Sequence, residues 1–159
     1  MSVQTSVAVA VNAPVERVFE IAISISPSEL VRPYGPLPGI AKTEGHESPW
    51  RAVGDIRRHT LTDKSSVDEE LTAIAQGSSF AYNVFNFTGG FGSLVSSARA
   101  QWHFTRAGPQ RTQIDWTYAF EPKGPIAEPL VWFIVKILWP GYLRAALERV
   151  KTKAESSTG

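Results

Sequence analysis

Over most of this chain apolar and polar residues alternate with a period of two; near its end they give way to one long apolar-rich segment. Val3, Thr5, Val7, Val9 and Val11 share one parity, the pattern of a half-buried strand rich in β-branched residues. Asn12-Ala13-Pro14 then supplies a helix start, a cap-type residue with proline in the first turn. The short helix predicted over 15–22 gathers Val18, Phe19 and Ala22 on one face and leaves Glu16 and Arg17 outside. A further helical turn is expected from Pro27 to Leu30 or Val31. The eight residues from Arg32 to Gly39 hold three prolines and two glycines, which dictates a stiff loop.

Six extended segments are predicted after that loop, at 40–47, 54–61, 67–75, 79–87, 94–105 and 112–121. The last alternates most cleanly, with Ile114, Trp116, Tyr118 and Phe120 set against Gln113, Asp115, Thr117 and Ala119. Short turn-rich joins such as Asp63-Lys64-Ser65 and Gln76-Gly77-Ser78 make neighbouring strands antiparallel, a meander and not a βαβ repeat. A long helix is expected over 126–154, with Pro140-Gly141 kinking or interrupting it. The fold class that follows is α+β: a curved seven-stranded antiparallel sheet around one long C-terminal helix, with two short helices after the first strand. Residues 1–154 read as one domain and 155–159 as a frayed, disordered tail.

Composition narrows the functions this fold could serve. The chain has 159 residues, 43% of them hydrophobic, enough to bury a substantial core without staples. Sixteen basic against fifteen acidic residues, with neither sign concentrated, argue against a nucleic-acid partner. The absence of cysteine removes disulfides, thiolate metal sites and a cysteine nucleophile together. The three histidines show no HExxH or similar spacing, so no metal site is expected, and no cofactor. The N-terminus reads as a strand and not as a signal peptide, which leaves a cytoplasmic setting as the default. The apolar run 129–139 falls short of the ~18 residues of a transmembrane segment and is expected to be a buried helix.

The order of elements resembles the helix-grip fold of the START-like, or Bet v 1-like, superfamily, and the wording does too. Val9-Ala10-Val11-Asn12-Ala13-Pro14-Val15-Glu16-Arg17-Val18-Phe19 is similar to the family's opening, a strand running into a first helix. Gly54-Asp55-Ile56-Arg57-Arg58 with Val67-Asp68-Glu69-Glu70 is similar to its third and fourth strands, and Thr112 to Tyr118 to its final one. The branch it resembles is the bacterial polyketide cyclase/dehydrase and lipid-transport group, over about residues 3–154. What the resemblance implies is a deep apolar cavity between sheet and helix, holding a lipid, quinone, polyketide or other aromatic. A minority of such proteins catalyse cyclisation or condensation there.

The residues themselves allow a lined pocket and a filled core equally, because both place aromatics at the same spacing. Phe80 and Tyr82, Trp102 and Phe104, and Trp116 and Tyr118 would form a wall facing Leu130, Ile134 and Leu138. In the pocket reading Tyr82, Tyr118 and His59 orient a small hydrophobic molecule, while Trp102, Trp116, Leu130, Ile134 and Leu138 contact it. His103 is expected to face outward; strand parity leaves His59 undecided, and His46 lies near a loop. One of Glu69 and Glu70 must point inward, to pair across strands with Arg57 or Arg58 or to anchor a ligand. Gly89-Gly90-Phe91-Gly92 lacks phosphate-loop spacing and reads as a hairpin loop whose Phe91 folds over the cavity mouth, with Tyr34 and Leu37 as further gate residues.

Binding or transport of a hydrophobic ligand is thus the leading expectation. A cofactor-independent cyclase or dehydratase in the same cavity is the alternative; it requires a polar pair within hydrogen-bond reach inside the pocket. Docking of the Trp132–Trp139 helix face on a membrane surface or partner is a third reading, which exposure of Trp132 or Trp139 would favour.

Overall fold

The period-two segments assemble into a single antiparallel sheet. The computed structural model describes residues 2–45 and 50–156. Strand β1 (Val3–Val11) is followed by helices α1 (Val15–Ser24) and α2 (Pro27–Leu30), then by β2 (Ile40–Gly45), β3 (Ile56–Leu61), β4 (Ser66–Ala75) and β5 (Ser79–Phe85). A four-residue helical turn, α3 (Gly89–Gly92), leads to the two longest strands, β6 (Val95–Gly108) and β7 (Arg111–Pro122). The strand order is β1-β7-β6-β5-β4-β3-β2, so the first strand leaves the meander and pairs with the last.

Register explains where the space inside comes from. Phe80, Trp102 and Trp116 stand side by side across β5, β6 and β7, with Val7 completing the row on β1. The next row reads Tyr82, Ala100, Tyr118, and the one after it Arg57, Glu69, Val84, Ala98, Phe120. Ala98 and Ala100 of β6 are small where their neighbours are large, which hollows the sheet along its middle. Helix α1 closes one end: Phe19 is fully buried and meets Phe104 edge-on at 5.1 Å and Phe80 at 6.1 Å.

The last helix runs from Glu128 to Ser156 without a break. It consists of α4 (Glu128–Phe133), a π turn (Ile134–Leu138) and α5 (Trp139–Ser156). Of the kink or interruption expected at Pro140-Gly141, the interruption does not occur: helix continues through both residues. Proline offers no N–H and its ring crowds the carbonyl four residues back. The helix widens just ahead of it, the Trp139 N–H bonding to Ile134 O five residues back. The start also lies two residues later than 126, with Ile126 almost fully exposed before it. At the other end Glu155 and Ser156, expected in the tail, are helical. Glu155 accepts the Asn12 N–H at 2.7 Å and Lys151 Nζ at 2.9 Å, tying helix to sheet, and residues 157–159 lie outside the described ones.

By length and composition this helix could cross a membrane, with a mean hydropathy of 1.4 over its most apolar window. In the fold it is the core helix gripped by the sheet, burying Val131, Val135, Leu143, Leu147 and Val150. Its N-terminal half is two-faced: Leu130, Trp132, Phe133 and Ile137 are each about half exposed.

Candidate functional site

Between the hollowed sheet and the π turn lies a cavity of about 380 Å³, within the range of small-molecule sites. Tyr82, Trp102, Trp116 and Tyr118 line it from the sheet, His59 from β3, and Ile134 and Leu138 from the helix. Leu130, expected among them, does not. It sits half-exposed on the outer face because the residue turned inward at that level is Val131, which is fully buried.

The aromatic wall is continuous. Trp102 and Trp116 lie 4.3 Å apart between ring centroids, and Phe80 stacks on Trp102 at 5.4 Å. Tyr82 and Tyr118 reach toward each other across Ala100, their hydroxyls 3.4 Å apart. Burial pushes both hydroxyls up from the ordinary tyrosine value, and the nearby Glu69 charge adds to this, so both stay protonated. Trp116 and Trp139 also line the cavity, and the Nε1–H of each is buried without a hydrogen-bond partner in the chain.

One corner is polar. His59 is almost completely buried, with Nε2 at 2.8 Å from Glu69 Oε1 and Nδ1 at 2.8 Å from Thr43 Oγ1. Arg57 donates to the same Glu69 oxygen through Nε and Nη2, both at 3.3 Å, and its guanidinium lies 3.8 Å over the Trp50 ring. Burial alone would raise the Glu69 carboxyl. The charge and hydrogen bond of His59, with Arg57 behind them, outweigh it and hold the group at about 2. Glu69 is therefore the inward member of the Glu69-Glu70 pair, and Arg58 serves a separate bridge to Asp68 at 2.7 Å. His103 faces outward and is exposed, as strand parity requires; His46 lies outside the described residues. Among the described residues no group of three or more potential metal ligands forms.

The mouth is built from loops. Leu37, Pro36 and Pro38 line it, while Tyr34 does not and is 42% exposed. Tyr34 instead lays its hydroxyl against Gly141, where any Cβ would collide with it. Pro38 is anchored through its carbonyl to the Tyr142 hydroxyl. Phe91 on α3 lines the cavity and stacks on Trp139, ring centroids 5.9 Å apart and planes within 11°.

Trp50, Thr43 and Tyr142 were not singled out from sequence. Trp50 sits in the connection between β2 and β3, where no periodicity exists to mark it as inward. Thr43 and Tyr142 gain their roles only from partners distant in the chain, His59 and Pro38. Arg57 was visible, but only as a possible cross-strand partner.

Comparison with known proteins agrees with this architecture. Among solved structures, the Zhui aromatase/cyclase of a Streptomyces species is 16% identical, covering 100% of this chain and 99% of that one at a TM-score of 0.73. A norcoclaurine synthase point mutant from Thalictrum flavum, in complex with a transition-state analogue, is 12% identical, covering 100% and 98% at 0.75. The XoxI protein of Bacillus cereus is 14% identical, covering 96% of each chain at 0.68. At these identities the likeness is one of fold. Among curated proteins no sequence matches. The family model described as polyketide cyclase / dehydrase and lipid transport matches residues 2–155, and the chain belongs to that family.

Proposed function

We propose that this protein reversibly binds a small hydrophobic molecule in the cavity between sheet and helix, as a carrier or holder of a lipid, quinone, polyketide or other aromatic. The observation that supports this is the cavity itself, about 380 Å³ walled by Trp102, Trp116, Ile134 and Leu138. Apolar ligand surface removed from water contributes about 25 cal/mol per Å² before the entropic costs of association. The setting that fits this reading is cytoplasmic. Native mass spectrometry of the purified protein, followed by organic extraction, tests it directly. A stoichiometric bound lipid or aromatic is the expected result. If the protein is empty, titration with quinones, fatty acids and polyketide mimics should quench the cavity tryptophans, and no response to any of them refutes the binder.

A second reading is acid–base catalysis in the same cavity, without a cofactor. It is favoured by the two polar pairs inside, His59 with Glu69 at 2.8 Å and Tyr82 with Tyr118 at 3.4 Å. Incubation with poly-β-ketone mimics checks this: cyclised or dehydrated product that Tyr82→Phe or His59→Gln abolishes without loss of binding supports an enzyme.

Contact of α4 with a membrane surface is a third reading, favoured by the exposure of Trp132 beside Leu130, Phe133 and Ile137. Co-sedimentation with lipid vesicles, and its loss in Leu130→Glu/Ile137→Glu, is the corresponding test.

A further inference from the structure

The polar corner of the cavity has its cations already paired, which suits it poorly to the commonest kind of amphiphile. Fatty acids and aromatic acids present a carboxylate, and a site built for one offers a cation free to receive it. Among the described residues the cavity lining contains one fixed cation, Arg57. It is already committed, donating to Glu69 through Nε and Nη2 at 3.3 Å and resting 3.8 Å over Trp50. His59 is committed as well, its two ring nitrogens held by Glu69 and Thr43 at 2.8 Å each. Asp63, also on the lining, adds a second negative group near the mouth. An entering carboxylate would have to compete with Glu69 for Arg57 and His59 and would lose its own hydration to do so.

A hydroxyl meets the opposite situation. The bonds from His59 and Arg57 all fall on Glu69 Oε1, which leaves Oε2 as the carboxylate's remaining acceptor. On the same cavity lining are groups that can donate back to a ligand oxygen. These are the partnerless indole N–H groups of Trp116 and Trp139 and the hydroxyl proton that the Tyr82–Tyr118 pair does not use. We propose that the cavity selects neutral aromatic ligands bearing a hydroxyl donor, which bonds to Glu69, and rejects the corresponding carboxylates. This rests on the cavity-binding reading above and names the ligand class for that site.

The test uses the intact chain and four rigid probes of one shape: naphthalene, a naphthol, its methyl ether and the matching naphthoate. Each is titrated at neutral pH by tryptophan quenching and calorimetry. The naphthol is expected to bind about tenfold more tightly than the ether, which lacks only the donor, and more tightly still than the naphthoate. Glu69→Gln should shrink the naphthol-to-ether ratio toward one and improve naphthoate binding, while naphthalene affinity holds. The wild-type ratios stand on their own if that variant folds poorly. Naphthoate binding as tightly as naphthol, or ether equalling naphthol, overturns the inference and leaves the cavity reading intact. A preference that survives Glu69→Gln overturns the assignment to Glu69. Binding of none of the four overturns the cavity reading and this inference with it.

Discussion

His59 and Glu69 meet on a diagonal. In the β3–β4 register Glu69 stands opposite Arg57 and His59 stands opposite Val67, yet His59 Nε2 lies 2.8 Å from Glu69 Oε1. Diagonal neighbours of a sheet are within reach of long side chains, so one carboxylate serves two partners two residues apart on the same strand. Because Glu69 stays ionised, Nε2 carries the proton and donates it to the carboxylate.

That shared carboxylate predicts a large stability effect. Glu69→Leu leaves the partly buried Arg57 without its counter-charge and should cost about 3 kcal/mol in urea denaturation at unchanged m. Adding Arg57→Met should restore most of the loss, since a well-packed apolar pair can replace a buried ion pair. A double variant no better than the single one would contradict this account.

Acid should find the same group. The folded Glu69 sits at about 2 against an ordinary 4.5, so the unfolded chain takes up its proton first as pH falls. Its contribution is complete above 4.5 and disappears as pH drops toward 2. Asp68, lowered by its bonds to Arg58 and Asn86, acts in the same direction. Urea midpoints measured across this window should decline steeply in the wild type and less so in Glu69→Gln; parallel profiles would rule Glu69 out as the source.

Much of this was legible in the sequence, and the gaps have identifiable causes. Strand β7 could be read because Ile114, Trp116, Tyr118 and Phe120 are large and apolar against polar alternates. In β3 the positions Arg57, His59 and Leu61 and their alternates Ile56, Arg58 and Thr60 mix both characters, so only the neighbouring strands decide which face is inward. Leu130 was misplaced because nearly every residue from Leu130 to Ile137 is apolar, which erases the helical phase. The polar corner was legible only in pieces, an inward glutamate within reach of Arg57 or Arg58 and a His59 of undecided direction, because it draws on three strands whose pairing no single segment encodes.

Ile134 and Leu130 offer a paired control on the same helix. Ile134→Ala enlarges the cavity wall and should weaken aromatic ligands several-fold by lost contact, on the scale of 1 to 2 kcal/mol. Leu130→Ala, on the outer face, should leave affinity unchanged and shift stability by less than about 0.5 kcal/mol. Calorimetric titration of both variants settles it, and equal losses would mean the helix is rotated from its described position.

Filling the space should separate binding from folding. Ala146 is buried and lines the cavity. In a packed core Ala146→Phe would cost roughly 1–3 kcal/mol of strain. Into an existing cavity it should be neutral or stabilising by up to about 1 kcal/mol while abolishing ligand quenching. A thermal melt and a titration on the same sample distinguish the two.

The β3–β4 turn carries an avoidable cost. Lys64 adopts φ 72°, the left-handed region, while Asp63 Oδ1 accepts the Ser65 N–H at 2.9 Å. Lys64→Gly should raise stability by about 1 kcal/mol, because glycine occupies that region without Cβ strain. A lower urea midpoint would show that the lysine side chain compensates.

The π turn also acts as a phase setting between the two halves of the last helix. Were ordinary α bonding to run through Ile134–Leu138 with the same residues, everything before the turn would rotate by about 100° relative to α5, because Ile134 now fills the place an α-helix gives to the residue after it. Trp132 would move into the buried place of Val131, and Val135 into the cavity-lining place of Ile134. Val131 would in turn be carried out to the half-exposed place of Leu130. One residue of helix length thus decides which apolar side of this segment closes the cavity and which meets the surroundings.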